Sequence, residues 1–110
     1  MFGAIIGDIV GSVYEFHTIK QKEFKFLKPK CSITDDTVMT CAIAKACIDY
    51  LESKDLELFK SKCIEYMQEL GRKYKDAGYG YNFSDWLNED NPKPYNSYGN
   101  GAAMRTSPVA

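Results

Sequence analysis

Thr34-Asp35-Asp36-Thr37-Val38-Met39-Thr40-Cys41-Ala42-Ile43-Ala44-Lys45-Ala46-Cys47-Ile48-Asp49-Tyr50-Leu51 is the stretch that decides the fold class. Its first four residues carry hydroxyl and carboxylate groups, which favour a helix N-terminus because they accept from backbone N–H groups that lack a partner inside the helix. From Val38 onward the chain is mainly apolar, and only Lys45, Asp49 and Glu52 interrupt it, on one narrow face. A helix apolar over most of its circumference has to be surrounded by other chain. A helix within Ser32 to Leu51, covered by other elements, is therefore predicted.

The segments on either side agree with that expectation. Downstream, Asp55 is placed to cap a second helix. In it Leu56, Phe59, Cys63, Tyr66, Met67, Leu70 and Tyr74 keep to three-four spacing, while Glu57, Lys60, Lys62, Glu65, Glu69, Arg72 and Lys73 face away. Upstream, Phe2 to Tyr14 reads as a helix with Gly3, Gly7 and Gly11 on one stripe. Each glycine costs about 1 kcal/mol of helix propensity relative to Ala, so the stripe implies close packing, a ligand, or simply a glycine-containing core helix. Ile19 to Lys30, where Phe24 and Phe26 alternate with lysines, reads as either an extended segment or a solvated loop. Asp76 to Tyr98 reads as a long connection with one helical turn near Ser84 to Leu87. Its Tyr79, Tyr81, Phe83 and Trp86 suit an ordered aromatic wall or core packing equally.

The chain has 110 residues, 14 basic and 15 acidic side chains, a net charge of -1 and 45% hydrophobic residues, which bounds it to one ordinary globular domain. With a pI near 5.8 there is no field for gathering polyanions, so bulk nucleic-acid binding is not expected. No apolar run approaches the roughly 18 to 20 residues that span a bilayer, and Asp8 interrupts the only glycine-rich apolar start, so neither a membrane partner nor a secretory signal is expected. Cys31, Cys41, Cys47 and Cys63 form no CxxC pair and read as packed small hydrophobes rather than as a disulfide or zinc site, which suits a reducing, cytoplasmic setting. The helices at hand are too few to enclose Thr37 to Leu51. Residues 1–110 are therefore expected to be the N-terminal part of a larger domain, prone to self-association through exposed apolar surface.

Three stretches could carry chemistry. Thr34-Asp35-Asp36-Thr37 sets two carboxylates and a hydroxyl side by side, either as a capping cluster or as oxygen ligands of the kind hard divalent cations prefer. Gly7-Asp8-Ile9-Val10-Gly11 is followed by Tyr14 and Glu15. On a continuous helix Asp8 and Glu15 would share a face, as acids on solvated helices often do. Ser97-Tyr98-Gly99-Asn100-Gly101-Ala102-Ala103-Met104-Arg105 puts glycines around Asn100, where a tight or left-handed turn could aim N–H groups at an anion or simply start a helix.

Taken in order, Gly-Asp-x-x-Gly with Glu15 beyond it, then Thr-Asp-Asp-Thr, then Gly-Asn-Gly-Ala-Ala-Met-Arg, this sequence resembles the ADP-ribosylglycohydrolase family from Gly3 to Val109. The resemblance implies an all-α protein, the N-terminal portion of an orthogonal helical fold. It also implies a binuclear magnesium or manganese centre and removal of ADP-ribose from modified side chains, with an ADP-ribosylated protein or an ADP-ribose derivative as partner. Carried over by position, Thr34, Asp35 and Asp36 are metal ligands, and Glu15, Asp35 and Asp36 are the catalytic acids. Ser97, Tyr98, Gly99, Asn100 and Gly101 contact the diphosphate and the neighbouring ribose. The family draws further ligands from a downstream Asp-x-Asp-Thr that has no counterpart after Arg105, so the 110 residues alone are expected to be inactive. Two other readings fit the same residues: a non-catalytic ADP-ribose or nucleotide-binding module, and a structural helical fragment. With His17 the sole histidine, a histidine nucleophile is not expected.

Overall fold

The computed structural model describes residues 1–110, and every regular element in it is a helix: α1 Phe2–Gly11, α2 Asp35–Ser53, α3 Leu56–Lys73, α4 Tyr81–Trp86 and α5 Gly101–Met104. The scaffold is the antiparallel pair α2 and α3. Thr34 caps α2, its hydroxyl accepting from Asp36 N–H, and Asp55 caps α3 by accepting from the N–H groups of Glu57 and Leu58. Both caps are as the sequence implies. Between the helices the chain turns at Lys54, which takes the left-handed conformation, so a single residue separates the end of one helix from the cap of the next.

The seam of this pair is made from small residues on α2 and larger ones on α3. Ala42 and Ala46 are fully buried against Tyr66, and Phe59, Cys63, Met67 and Leu70 pack around them. The alanines let the helices approach closely, and the α3 side chains fill the space. At the edges Tyr50 meets Phe59 at 5.5 Å between ring centroids, and Lys45 pairs with Glu69 at 2.9 Å. That exposed ion pair contributes little. The enclosure expected for α2 holds from Thr37 to Ala46. Nearer its C-terminus it does not: Ile48 and Leu51 are 59% and 64% exposed.

A second layer lies against the far half of α3. The Asp76–Tyr98 connection contains α4, longer than the single turn read from sequence and beginning three residues earlier. Gln68, buried on α3, donates through Nε2 to the carbonyls of Trp86 and Glu89, and Trp86 Nε1 donates to Lys93 O at 3.1 Å. Phe83 stacks on Trp86 at 5.3 Å and packs against Tyr79 at 5.7 Å, so three of the four expected wall aromatics form one column, while Tyr81 points to solvent. Ile19 to Lys30 contains no strand and runs as an exposed loop, in which Tyr14 OH donates to Lys25 O.

α1 departs from the expectation of close backbone packing. A Cβ added at Gly3, Gly7 or Gly11 would meet nothing within 4 Å, and Phe2 is 80% exposed. The helix ends at Gly11, so Asp8 and Glu15 do not share a helical face; Glu15 sits in the turns beyond it. With 13 buried residues and a radius of gyration of 15.1 Å, against about 13 Å for a tightly packed chain of this length, apolar surface on α1 and the outer ends of α2 and α3 stays uncovered.

One contact tests the second layer. A Cβ at Gly71 would run into both methyl carbons of Leu87, itself buried. Gly71→Ala is expected to lose about 1–2 kcal/mol in urea unfolding, the overpacking penalty less the helix propensity regained. In a Leu87→Val background the same change should become neutral or stabilising. Equal losses in both backgrounds would contradict this packing.

Candidate functional site

A cleft of about 500 Å³, within the range of small-molecule sites, opens where α1, the start of α2 and α5 converge. Gly7, Gly11 and Ser12 form one wall with Asp8 and Glu15; Thr34, Asp35, Asp36 and Thr40 form the second; Asn100 and Met104 close the third. The bare glycines therefore border open cleft rather than a packed backbone.

Asp8 builds this arrangement. Its carboxylate accepts from Thr34 N–H at 2.9 Å, Thr37 N–H at 3.2 Å and the hydroxyls of both threonines. Two of the donors are backbone N–H groups at the start of α2, where a negative charge is favoured by the unpaired amides and the helix dipole. With about four acceptor positions on a carboxylate, Asp8 is saturated. The sequence pairing of Asp8 with Glu15 missed this role; the signal was the recurrence of Thr at 34 and 37, whose hydroxyls straddle one acceptor.

Asp35 and Asp36 are left with their acidity in the cleft. Burial, then the charges of Asp36 and Glu15, push Asp35 up to about 6, and only its own backbone N–H works the other way. Asp36 is also raised, first by burial and then by Asp8, while the charge of Arg105 lowers it. Asp35 N–H donates to Ala77 O at 2.8 Å, which brings the turn after α3 over the start of α2. That turn needs Gly78, whose φ is +99° and which lies beside Asp35. Above it the Tyr79 hydroxyl is buried without a partner, and burial followed by the charge of Asp35 lifts it to about 12.

The third wall comes from the Gly-rich stretch. Thr40 Oγ1 donates to Met104 O at 3.2 Å, seating α5 on α2. Neither Gly99 nor Gly101 takes a left-handed conformation; the sole positive-φ glycine is Gly78. A Cβ at Gly101 would lie 2.9 Å from an Arg105 terminal nitrogen, so a side chain there would move the end of that long side chain aside. Of the expected site residues, Glu15, Thr34, Asp35, Asp36 and Asn100 line the cleft. Ser97, Tyr98, Gly99 and Gly101 do not, and Tyr98 is fully exposed.

Two adjacent carboxylates, lifted first by burial and then by neighbouring negative charges, are the oxygen donors that a hard divalent cation relieves, and they fit one side of such a centre. No three of the His, Cys, Asp and Glu side chains converge closely enough to hold an ion by themselves. The four cysteines are unpaired, and no helix is long and apolar enough to cross a membrane.

An all-helical chain with an acidic small-molecule cleft built from three separated segments is the class of protein these features define. The sequence profile of the family described as ADP-ribosylglycohydrolase matches residues 1–110, and the chain belongs to that family. ADP-ribosylhydrolase ARH3 of Xenopus tropicalis is 32% identical over 127 aligned positions, which cover 96% of this chain and 36% of the Xenopus protein. The chain thus spans a little over a third of that relative's length. No solved structure matches significantly.

The Asp8 anchor and the Asp35 environment each have a measurable consequence. Asp8→Ala leaves two amides and two hydroxyls without their acceptor, and is expected to lose about 2–3 kcal/mol in chemical denaturation. Asp8→Asn, which keeps one carbonyl oxygen, should lose less. For Asp35 the folded value of about 6 lies above the ordinary 3.8. Below pH 4 the group is protonated in both states and contributes nothing. Between 4 and 6 only the unfolded chain releases its proton, so stability falls as pH rises, and above 6 the full penalty remains. Asp35→Asn should therefore be more stable than the parent at pH 7, with the gain disappearing below pH 4 in parallel thermal melts.

Proposed function

We propose that residues 1–110 form the N-terminal part of a single ADP-ribosylglycohydrolase domain and supply one side of the cleft in which ADP-ribose is cut from a modified side chain at an N- or O-glycosidic bond. The observation that carries this is the convergence of Glu15, the Asp35–Asp36 pair and Asn100 on one cleft from three distant parts of the chain. Asp35 and Asp36, with Thr34 beside them, would hold magnesium or manganese. Such a cation supplies Lewis-acid stabilisation and lowers the pKa of a coordinated water.

The chain's own residues do the rest. Cleavage at the anomeric carbon develops oxocarbenium character, which the carboxylates facing the cleft stabilise electrostatically. Glu15 stands at the rim as an exposed residue, suited to accept a proton from the attacking water. Asn100 approaches the diphosphate from the third wall, away from the acids, so phosphate and carboxylate charges stay apart. A pair of acids without a converging third favours, as a second reading, an ADP-ribose-binding module that does not turn over.

Residues 1–110 bring about half the oxygen ligands a cation pair needs. They are expected to bind manganese and ADP-ribose weakly, in the millimolar range, and to release no ADP-ribose from a modified peptide unless the C-terminal part of a complete relative is added. Asp36→Ala should weaken manganese binding about tenfold or more, and Asn100→Ala should weaken ADP-ribose binding while sparing manganese. Paramagnetic broadening and chemical-shift titration measure the two affinities separately. ADP-ribose binding that is indifferent to manganese, with no release in the complemented protein, would establish the binding module instead.

A further inference from the structure

Arg105 is a half-buried cation that the proposed chemistry leaves unused. It forms no salt bridge within 4 Å: the three ion pairs of the chain all involve lysines on α2 and α3. Its Nε donates to Gly101 O at 2.5 Å and one terminal nitrogen to Met67 Sδ at 2.9 Å, while the guanidinium carbon lies 5.0 Å from the Phe83 ring centroid. One side chain therefore ties α5 to α3 and to the aromatic column under α4. Sulfur is a weak acceptor, and a guanidinium carries five N–H donors, so this charge is under-satisfied where it sits. Burial lowers its pKa, and Asp35 heads the charges that raise it again.

We infer that Arg105 is a positioning residue with two effects on the cleft: it holds the Asn100–Gly101 wall in place through the Gly101 carbonyl, and it fixes a positive charge behind the Asp35–Asp36 pair. The inference rests on the functional reading above in taking the ligands to be a divalent cation and ADP-ribose. The clamp is a matter of geometry. α5 has four residues, too short to hold itself, and its other tie is the Thr40 to Met104 hydrogen bond. Gly101 leaves room for the guanidinium, which a side chain there would displace. The charge acts in opposite senses on the two ligands. It opposes a cation held by the two acids and favours an anionic diphosphate lying along the Asn100 wall.

This opposition separates positioning from ordinary structural support, because a variant that merely loosens the site weakens both ligands. Arg105→Met keeps an apolar stem on Phe83 and removes fork and charge together. In the 110-residue chain it is expected to weaken ADP-ribose binding about tenfold and to tighten manganese binding about threefold. Arg105→Lys keeps the charge without the fork. It should return manganese affinity to the parent value while ADP-ribose binding stays impaired. The amides of Asn100 to Met104 should exchange with solvent about tenfold faster in both variants, a readout that needs no ligand. If both affinities fall together in Arg105→Met, or neither moves, or exchange is unchanged, the assignment is overturned. A parent chain that binds manganese but not ADP-ribose would overturn the functional reading instead, while the exchange and manganese measurements still decide the role of Arg105.

Discussion

The Asp8 carboxylate is the constraint on which the arrangement depends. One anion takes two backbone amides and two hydroxyls from the start of α2, and so joins a helix of low intrinsic propensity to the best-buried helix of the chain. Without that acceptor the Thr34 and Thr37 donors would face a partly buried environment unpaired, and α1, whose one buried residue is Val10, has little other hold. The same bond set decides which acids remain available. Because Asp8 is largely occupied by these donors, the carboxylate oxygens left open to a ligand are mainly those of Asp35, Asp36 and Glu15.

That division explains why the cleft is both stable enough to form and electrostatically uncomfortable. Helix N-termini tolerate acids, yet here burial and the charges of Asp36 and Glu15 drive Asp35 up to about 6. A fold under no other demand would place a neutral residue at position 35. The discomfort is what a cation would relieve, and the charge of Arg105, which ion-pairs with neither acid, already eases it in part at Asp36.

Much of this was legible in the sequence, for identifiable reasons. The α2–α3 pair announces itself through periodicity and through Thr34 and Asp55, because capping and amphipathicity are local properties of the chain. The acidic pair and Asn100 could be singled out from the order of three motifs. The partner of Asp8 was not visible, since the pairing crosses 26 to 29 residues and depends on how α1 lies on α2. The glycine stripe was ambiguous for a related reason: a residue without a side chain says that space is required, not what occupies it, and here the space is cleft. Gly101 shows the same limit, because the space it leaves is taken by the side chain of Arg105, and its own backbone angle does not call for glycine.

The sequence distances within the cleft also set an order of assembly. α2 and α3 are joined by a one-residue turn and can zip together along their seam with little loop entropy to overcome. The cleft closes only when Asp8 reaches Thr37 and when Met104 reaches back across 64 residues to Thr40. Walls that must be gathered from both ends of the chain are the last to form and the first to part. α1 and α5 can therefore swing away while the hairpin stays whole, which leaves the cleft as the separable half of an otherwise cooperative unit.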